Sequence, residues 1–191
     1  MLLPFAPLLL LLCTLALPAA AEPVVYVLDP THSFVHFEIR HFGTSTIRGR
    51  FGPINGSVTL DRAAGRGSVF LAIDTASVST GLRVFDSRLR EADLLASADH
   101  PQASFVADQF RFDGTQLAEV RGQFTLRGVS RPLSLRALRF TCEPRVQLSQ
   151  REVCGGDFEA EIERSAFGAS FGLPFVADRV RMVVQVEGVR Q

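Results

Sequence analysis

Hydrophobic and polar residues alternate with a period of two along most of this chain. In residues 33–41, Val35, Phe37, Ile39 and His41 fall on one face and the intervening residues on the other. Such alternation is typical of strands with one face buried and one in water. The same pattern recurs at 120–126, 157–164 and 179–188. Further strands are predicted, between turn signals such as Asp113-Gly114 and Gly155-Gly156, at 46–52, 56–61, 67–74, 102–113 and 131–142.

One stretch, residues 80–98, breaks this alternation. Leu82, Phe85, Leu89 and Leu94-Leu95 recur at helical spacing, and Thr80 is a suitable N-cap. The sequence therefore predicts one helical insert in a chain of antiparallel strands. Eight or so long strands in one domain must close or stack to hide their edges. The interior of an eight-stranded barrel is either filled by side chains or holds one small ligand, and the residues leave both alternatives open.

The first 21 residues carry no charge. An apolar run at 7–17 is followed by Ala19-Ala20-Ala21, which is the layout of a secretory signal peptide cleaved before Glu22. The run is shorter than the roughly 20 apolar residues that a membrane-spanning helix needs. We expect residues 1–21 to be removed and residues 22–191 to form one periplasmic or secreted domain. A retained anchor and lipidation at Cys13 are the alternatives.

Cleavage leaves two cysteines, Cys142 and Cys154. An isolated pair in an oxidising compartment is expected to form a disulfide. The spacing is not that of a C-x-x-C redox motif, and no histidine or further cysteine lies near the pair in the sequence. We therefore expect a structural disulfide rather than a redox or metal site.

Composition and charge exclude two classes of protein. The chain has 20 Arg+Lys and 20 Asp+Glu, a formal net charge of zero, and all 20 of the Arg+Lys residues are arginines. Without a basic excess the chain has no electrostatic attraction for nucleic acid. At 47% hydrophobic and 21% charged residues it is not a disordered chain either.

Few residues point to catalysis or metal binding. His32 and His36 would lie roughly 13 Å apart along a strand, and no G-x-S-x-G, H-E-x-x-H or phosphate-loop motif is present. We therefore expect neither an enzyme nor a metal site. His41, on the apolar face at a strand end, is either a contact for a ligand head group or a histidine bonded to backbone. Arg90 and Asp93 are either head-group contacts or a structural pair that ties the insert to the barrel.

Five motifs occur in order along the chain: Tyr26-x-Leu28-Asp29-Pro30-x-His32-Ser33, Arg48-Gly49-x-Phe51, Gly122-x-Phe124-Thr125-Leu126-x-Gly128-Val129-Ser130-x-Pro132, Arg164-Ser165-x-Phe167-Gly168 and Ala177-Asp178-x-Val180. Together they resemble the YceI-like family of periplasmic polyisoprenoid-binding proteins. The insert adds Thr80, Asp86, Leu89, Arg90, Asp93 and Pro101 in the family's register. Phe85 stands where the family usually has arginine and Arg88 where it has histidine, which alters the polar contacts of the insert. The resemblance covers about residues 24–189.

This resemblance implies an all-β fold, a single extended antiparallel eight-stranded lipocalin-like barrel with a short helical insert at about 80–98. It also implies an apolar cavity for an isoprenoid-chain lipid such as a quinone or polyprenyl phosphate, and no catalytic residues. We expect a bound polyisoprenoid, quinone or fatty-acid-like lipid and no obligatory cofactor. Transient contact with a membrane or membrane protein, and a homodimer, are further expectations.

Combining strand parity with the insert gives candidate ligand contacts. The apolar candidates for the cavity wall are Phe37, Ile39, Phe51, Leu71, Ile73, Phe85, Leu89, Leu94, Phe105, Phe124, Leu126, Phe158, Ile162, Phe167, Met182 and Val184. The polar candidates are His41, Arg90 and Asp93. Two other functions stay open: an envelope structural or partner-binding module with a filled barrel, and a small hydrolase or isomerase.

Overall fold

The computed structural model describes residues 22–191, so the predicted signal peptide lies outside the described residues. Its strands are β1 Val24–Leu28, β2 Phe34–His41, β3 Ser45–Phe51, β4 Asn55–Asp61, β5 Arg66–Asp74, β6 Gln102–Asp113, β7 Gln116–Leu126, β8 Val129–Arg145, β9 Arg151–Glu163 and β10 Val176–Arg190. One helix, α1 Arg83–Leu89, and short 3-10 turns at Thr75–Ser77, Val146–Leu148 and Arg164–Phe167 complete the described elements. None of the helices in this part of the chain is long and apolar enough to cross a membrane.

The strands form one closed antiparallel barrel. The order is β1-β4-β5-β6-β7-β8-β9-β10-β2-β3, and β10 also pairs with β1, which closes the ring. Because β2 continues β1 and β3 leads into β4 after a bend, the ten segments act as eight strands. The bend after β3 falls at Gly52, whose φ of 137° suits glycine, and a Cβ there would lie 2.6 Å from the Phe34 ring. The predicted eight-stranded barrel is confirmed.

The outer faces of the strands carry most of the charges. Arg181 on β10 pairs with Glu38 on β2 and Glu159 on β9, its neighbours on either side. Hydrogen bonds from Arg48 and Arg181 hold the pKa of Glu38 below its ordinary value, and bonds from Arg181 and Arg136 do the same for Glu159. Exposed pairs of this kind contribute little to stability. With most of its charges on the outside, the chain has a predominantly apolar interior wall.

The segment between β5 and β6, residues 75–101, is called the insert here. The predicted short helical insert at about 80–98 is confirmed, and its α-helix spans Arg83–Leu89. Leu82 precedes the helix, whereas Thr80 donates from its N–H and hydroxyl to the Asp86 carboxylate at 2.6 and 2.7 Å. These bonds hold the pKa of the buried Asp86 below its ordinary value. After Leu89 the chain folds back in turns, with Ala96 in the left-handed region at φ 50°.

The barrel has two ends that differ in their connections. At the insert end lie the insert and the connections 42–44, 127–128 and 164–175. At the disulfide end lie the turns 62–65, 114–115 and 146–150. The predicted disulfide is present there, since Cys142 on β8 and Cys154 on β9 face each other and are bonded. The disulfide therefore links two strands that are already paired.

The interior of the disulfide end is packed around Tyr26 from β1. Its hydroxyl donates to a Glu152 carboxylate oxygen at 2.6 Å, and the other oxygen of Glu152 accepts from Arg62 at 2.6 Å. Leu60 and Cys154 complete this buried cluster. Burial, together with the bond to Glu152, raises the pKa of Tyr26 to about 12.

Candidate ligand-binding cavity

A cavity of about 430 Å³ occupies the barrel interior at the insert end. Its wall is formed by inward residues of β2, β3 and β5 to β10, by Phe85 and Leu89 of α1, and by the connection 164–175. Every apolar candidate from the sequence lies on this wall except Phe158 and Phe167. Alternation identifies the strand residues of this wall because the strands are long and continuous, so that every second residue faces the interior.

The structure places Phe158 and Phe167 elsewhere in the core. Phe158 is buried and faces a separate gap of about 60 Å³ towards the disulfide end. Phe167 is buried behind the cavity wall, with its ring edge-on to Phe124 at a centroid distance of 5.5 Å. Phe158 faces the interior as alternation predicts, but it lies nearer the disulfide end than the cavity does. Alternation does not specify the position of a residue along the barrel axis.

Other wall residues were not among the sequence candidates. Ala103, Leu133 and Leu135 are inward strand positions, and alternation marks them as readily as those chosen. Phe42, Phe171 and Phe175 come instead from connections between strands. Periodicity carries no information about connections, so these aromatic residues had no sequence signal.

His41 lies on the cavity wall at the end of β2, as its parity predicted. Its ring packs against Phe42 at a centroid distance of 4.6 Å. Among the described residues the ring nitrogens have no hydrogen-bond partner, so the alternative of a backbone-bonded histidine finds no support. These nitrogens are therefore available for a hydrogen bond with a polar atom of a ligand in the cavity.

Arg88 is a polar wall residue that the sequence candidates missed. Its guanidinium makes two hydrogen bonds to Asp93 at 2.6 and 2.7 Å and lies 4.2 Å from the ring centroid of Phe171. The bonds from Arg88 hold the pKa of Asp93 below its ordinary value. The expected Arg90–Asp93 pair is therefore absent from the described residues: Asp93 pairs with Arg88, and Arg90 donates to the Val78 carbonyl at 3.4 Å.

Two further arginines hold the segments that cover the cavity. Arg164 is buried and donates to the carbonyls of Ala169, Phe171, Val176 and Ala177 at 2.6 to 3.0 Å. Burial lowers the pKa of this guanidinium. Arg127 donates to the carbonyls of Ala92, Leu94 and Phe167 at 2.7 to 3.1 Å. These bonds hold the backbone of the insert and of the connection 164–175 in place, and the side chains of both segments are left to form the cavity wall.

Two clusters of ionisable side chains and cysteines lie away from the cavity wall. His32 lies in the turn between β1 and β2 and contacts Asp29 at 2.7 Å. The bonds from Thr31 and His32 lower the pKa of Asp29 to about 2 and that of His32 is raised. Cys142, Glu152 and Cys154 are close enough to suggest metal ligands, but both sulfurs are consumed by the disulfide. Neither cluster touches the cavity wall.

Comparison with known proteins gives a match to the YceI-like domain family over residues 26–188. The protein YceI of Escherichia coli O157:H7 is 33% identical over 161 residues, which cover 84% of this chain and 83% of that protein. The crystal structure of Burkholderia cenocepacia BcnA aligns with a TM-score of 0.66 at 22% identity, covering 84% of this chain and 98% of that one. A polyisoprenoid binding domain from Saccharophagus degradans aligns with a TM-score of 0.59 at 20% identity, covering 87% of this chain and 98% of that one.

Proposed function

This chain belongs to the YceI-like domain family, and on that premise we propose that it carries an isoprenoid or other long-chain lipid in its barrel cavity. The observation that carries the proposal is the apolar wall of the cavity at the insert end. The naming of a structural neighbour as a polyisoprenoid binding domain supports it. The carrier would store or transport its lipid without changing it chemically.

The cavity volume limits how much of a lipid is enclosed. A cavity of about 150 Å³ is enough for benzene, with its six carbons. By proportion, 430 Å³ encloses about 17 carbons, or roughly three isoprene units. Burying that many apolar groups contributes about 14 kcal/mol before the costs of association. Affinity therefore needs no charged anchor, and a longer chain would extend through the mouth of the cavity.

The polar wall groups support binding rather than catalysis. Arg88 is occupied by Asp93, and Arg164 by backbone carbonyls. His41 is the wall residue with free ring nitrogens, and it would orient a carbonyl, hydroxyl or phosphate of the ligand head group. A filled-barrel structural module is less well supported, because the insert end encloses open apolar space.

The proposed location is the periplasm or the extracellular space. The charge-free, apolar start of the sequence has the layout of a secretory signal peptide. The disulfide between Cys142 and Cys154 is of the kind that persists in oxidising compartments.

The test is to express the full chain in a bacterium that makes isoprenoid quinones. The purified protein is examined by native mass spectrometry, and its lipids are extracted with organic solvent. We expect one lipid per protein, and delipidated protein should take up farnesol and geranylgeraniol, with three and four isoprene units. Protein that neither carries nor takes up a chain lipid would overturn the proposal.

Two matched variants of β6 localise the binding. Ala103 lies on the cavity wall, whereas Val106 is exposed on the outside of the same strand. Ala103→Phe places a ring in the cavity and should abolish lipid uptake. Val106→Phe adds an aromatic ring to the outside and should leave uptake unchanged. Equal uptake by both variants would contradict the cavity as the binding site.

A further inference from the structure

Five large apolar side chains are exposed around the opening of the cavity. They form the mouth rim, and each has between 54% and 73% of its surface exposed: Phe42, Leu82, Val84, Phe171 and Phe175. At the disulfide end, Val146 is the one large apolar residue of the described chain that is comparably exposed. Single exposed apolar residues are ordinary, but a cluster at one end of a barrel marks an interaction surface.

Contacts with neighbouring residues hold the rim side chains in exposed positions. The Phe42 and Phe175 rings stack at a centroid distance of 5.5 Å, and the Phe42 N–H donates to the Phe175 carbonyl at 2.7 Å. Phe171 is held beneath the Arg88 guanidinium, and its carbonyl accepts from Arg164. Leu82 and Val84 flank the start of α1, whose other face lines the cavity with Phe85 and Leu89. The aromatic rings therefore stay exposed because other contacts fix them in place.

Two arginines lie beside the rim. Arg83 lies between Leu82 and Val84, and Arg40 donates to the Gly43 carbonyl next to Phe42. Within residues 22–191 neither arginine forms an ion pair. Of the nearby carboxylates of the insert, Asp93 and Glu91 pair with Arg88, whereas Asp86 accepts from the neutral Thr80 and keeps its negative charge. Exposed apolar side chains beside two arginines that lack ion pairs are suited to bind a surface that is both apolar and negatively charged.

We propose that the mouth rim docks this protein on the surface of a bilayer that contains anionic lipid. The five apolar side chains enter the interfacial region, and Arg40 and Arg83 contact lipid phosphates. This rests on the proposed lipid-carrying function, because docking brings the cavity opening against the source of its ligand. A second copy of the chain fits less well, since a two-fold contact through this patch gathers the arginines of both copies in one interface.

The experiment is vesicle flotation of the full chain with isoprenoid-free liposomes. One set is phosphatidylcholine alone, and the other contains about one third phosphatidylglycerol. We expect binding to the anionic vesicles and much weaker binding to the neutral ones. Arg40→Gln with Arg83→Gln should lower binding to the anionic vesicles about 30-fold. Equal binding to both vesicle types, or binding to neither, would overturn the proposal.

Variants of the rim that spare the cavity complete the test. Leu82→Ser with Val84→Thr should lower binding roughly tenfold or more, and serine at position 82 is a favourable helix N-cap. The matched control is Val25→Thr with Val27→Thr, two exposed valines on the outer wall of β1, which should bind like the original protein. Unchanged binding by the Leu82/Val84 variant would refute docking through the rim, as would a dimer that this variant dissociates.

The lipid content of each variant is measured by solvent extraction, independently of flotation. Neither Leu82 nor Val84 lines the cavity, so these variants should retain lipid when they no longer dock. Docking without any lipid content would leave the rim proposal standing and refute the carrier function. Lipid content without docking would do the reverse.

Discussion

The two ends of this barrel are built from the same strands but have opposite interiors. The insert end encloses about 430 Å³ of apolar space, and the disulfide end leaves a gap of about 60 Å³. At the disulfide end the turns are short, and the interior is filled by Tyr26, Leu60 and neighbouring rings. At the insert end long connections span the opening, with their backbones tied to Arg127 and Arg164. The difference suggests that one end stabilises the fold while the other holds the ligand.

Glycines help the disulfide end to pack closely. A Cβ on Gly188 would lie 3.1 Å from the Cβ of Tyr26, and one on Gly156 would lie 2.1 Å from the Arg139 carbonyl oxygen. Gly156 has no room for a Cβ, and a Cβ on Gly188 would require the Tyr26 side chain to shift slightly, so both glycines allow their neighbours to approach closely. On the cavity side, Gly49 of β3 plays a different part: the Phe37 ring lies over it, where a Cβ would be 2.4 Å from that ring.

The largest predicted effect is on stability at the disulfide end. Replacing Cys142 and Cys154 by alanine removes a cross-link between residues 12 apart in the sequence. The free energy of unfolding should fall by about 3 kcal/mol, because the unfolded chain gains conformational freedom. Denaturant titration measures this loss. Lipid content should not change, since the cavity lies at the other end.

Chemical reduction of the original protein is the control for this variant. A thiol reductant opens the same cross-link without changing the side-chain volumes, so it should reproduce the loss of stability. A variant that loses its lipid together with its stability would show that the two ends are not independent.

The next prediction compares the same substitution at two positions of β6, one on the cavity wall and one nearer the disulfide end. Ala103 and Ala107 are both buried on the inner face of β6, but only Ala103 lines the large cavity. Ala107→Phe should lower the free energy of unfolding by about 1–3 kcal/mol, because the ring replaces a buried methyl group that does not face the large cavity. Ala103→Phe should change it by about 1 kcal/mol or less, because the cavity receives the ring. Thermal and denaturant unfolding measure both, and equal destabilisation would contradict the contrast between the ends.

How far the sequence predicts this molecule depends on the kind of residue. Phe37 and Met182 were placed on the inner wall from alternation alone, because a continuous strand fixes which side a residue faces. Phe171 and Phe175 were not found, since they lie in a connection whose path is set by hydrogen bonds to Arg164. The choice of Arg88 as the partner of Asp93 depends on how the chain turns after Leu89. Depth along the barrel, which separates Phe158 from the cavity, requires the register of the strands.

The smallest predicted effect is confined to alkaline pH at the disulfide end. Tyr26 is the only tyrosine, and the chain contains no tryptophan, so the absorbance of the phenolate reports this residue alone. The pKa of Tyr26 is about 12 in the folded protein against an ordinary value of 10.0, because burial and the bond to Glu152 disfavour the charged phenolate. The native protein should therefore titrate at higher pH than the protein in denaturant.

The free energy of unfolding should change with pH over the same range as this titration. Because the folded-state pKa of Tyr26 is the higher one, its contribution to stability is complete below pH 10 and is lost as the pH rises from 10 to about 12. Tyr26→Phe should be less stable than the original protein at neutral pH, since Glu152 loses its phenol donor, and should lack this alkaline decline. The chain contains no lysine, so no lysine side chain titrates in this window. A native titration at the ordinary tyrosine value would mean that the disulfide end is open to water and as loosely filled as the other end.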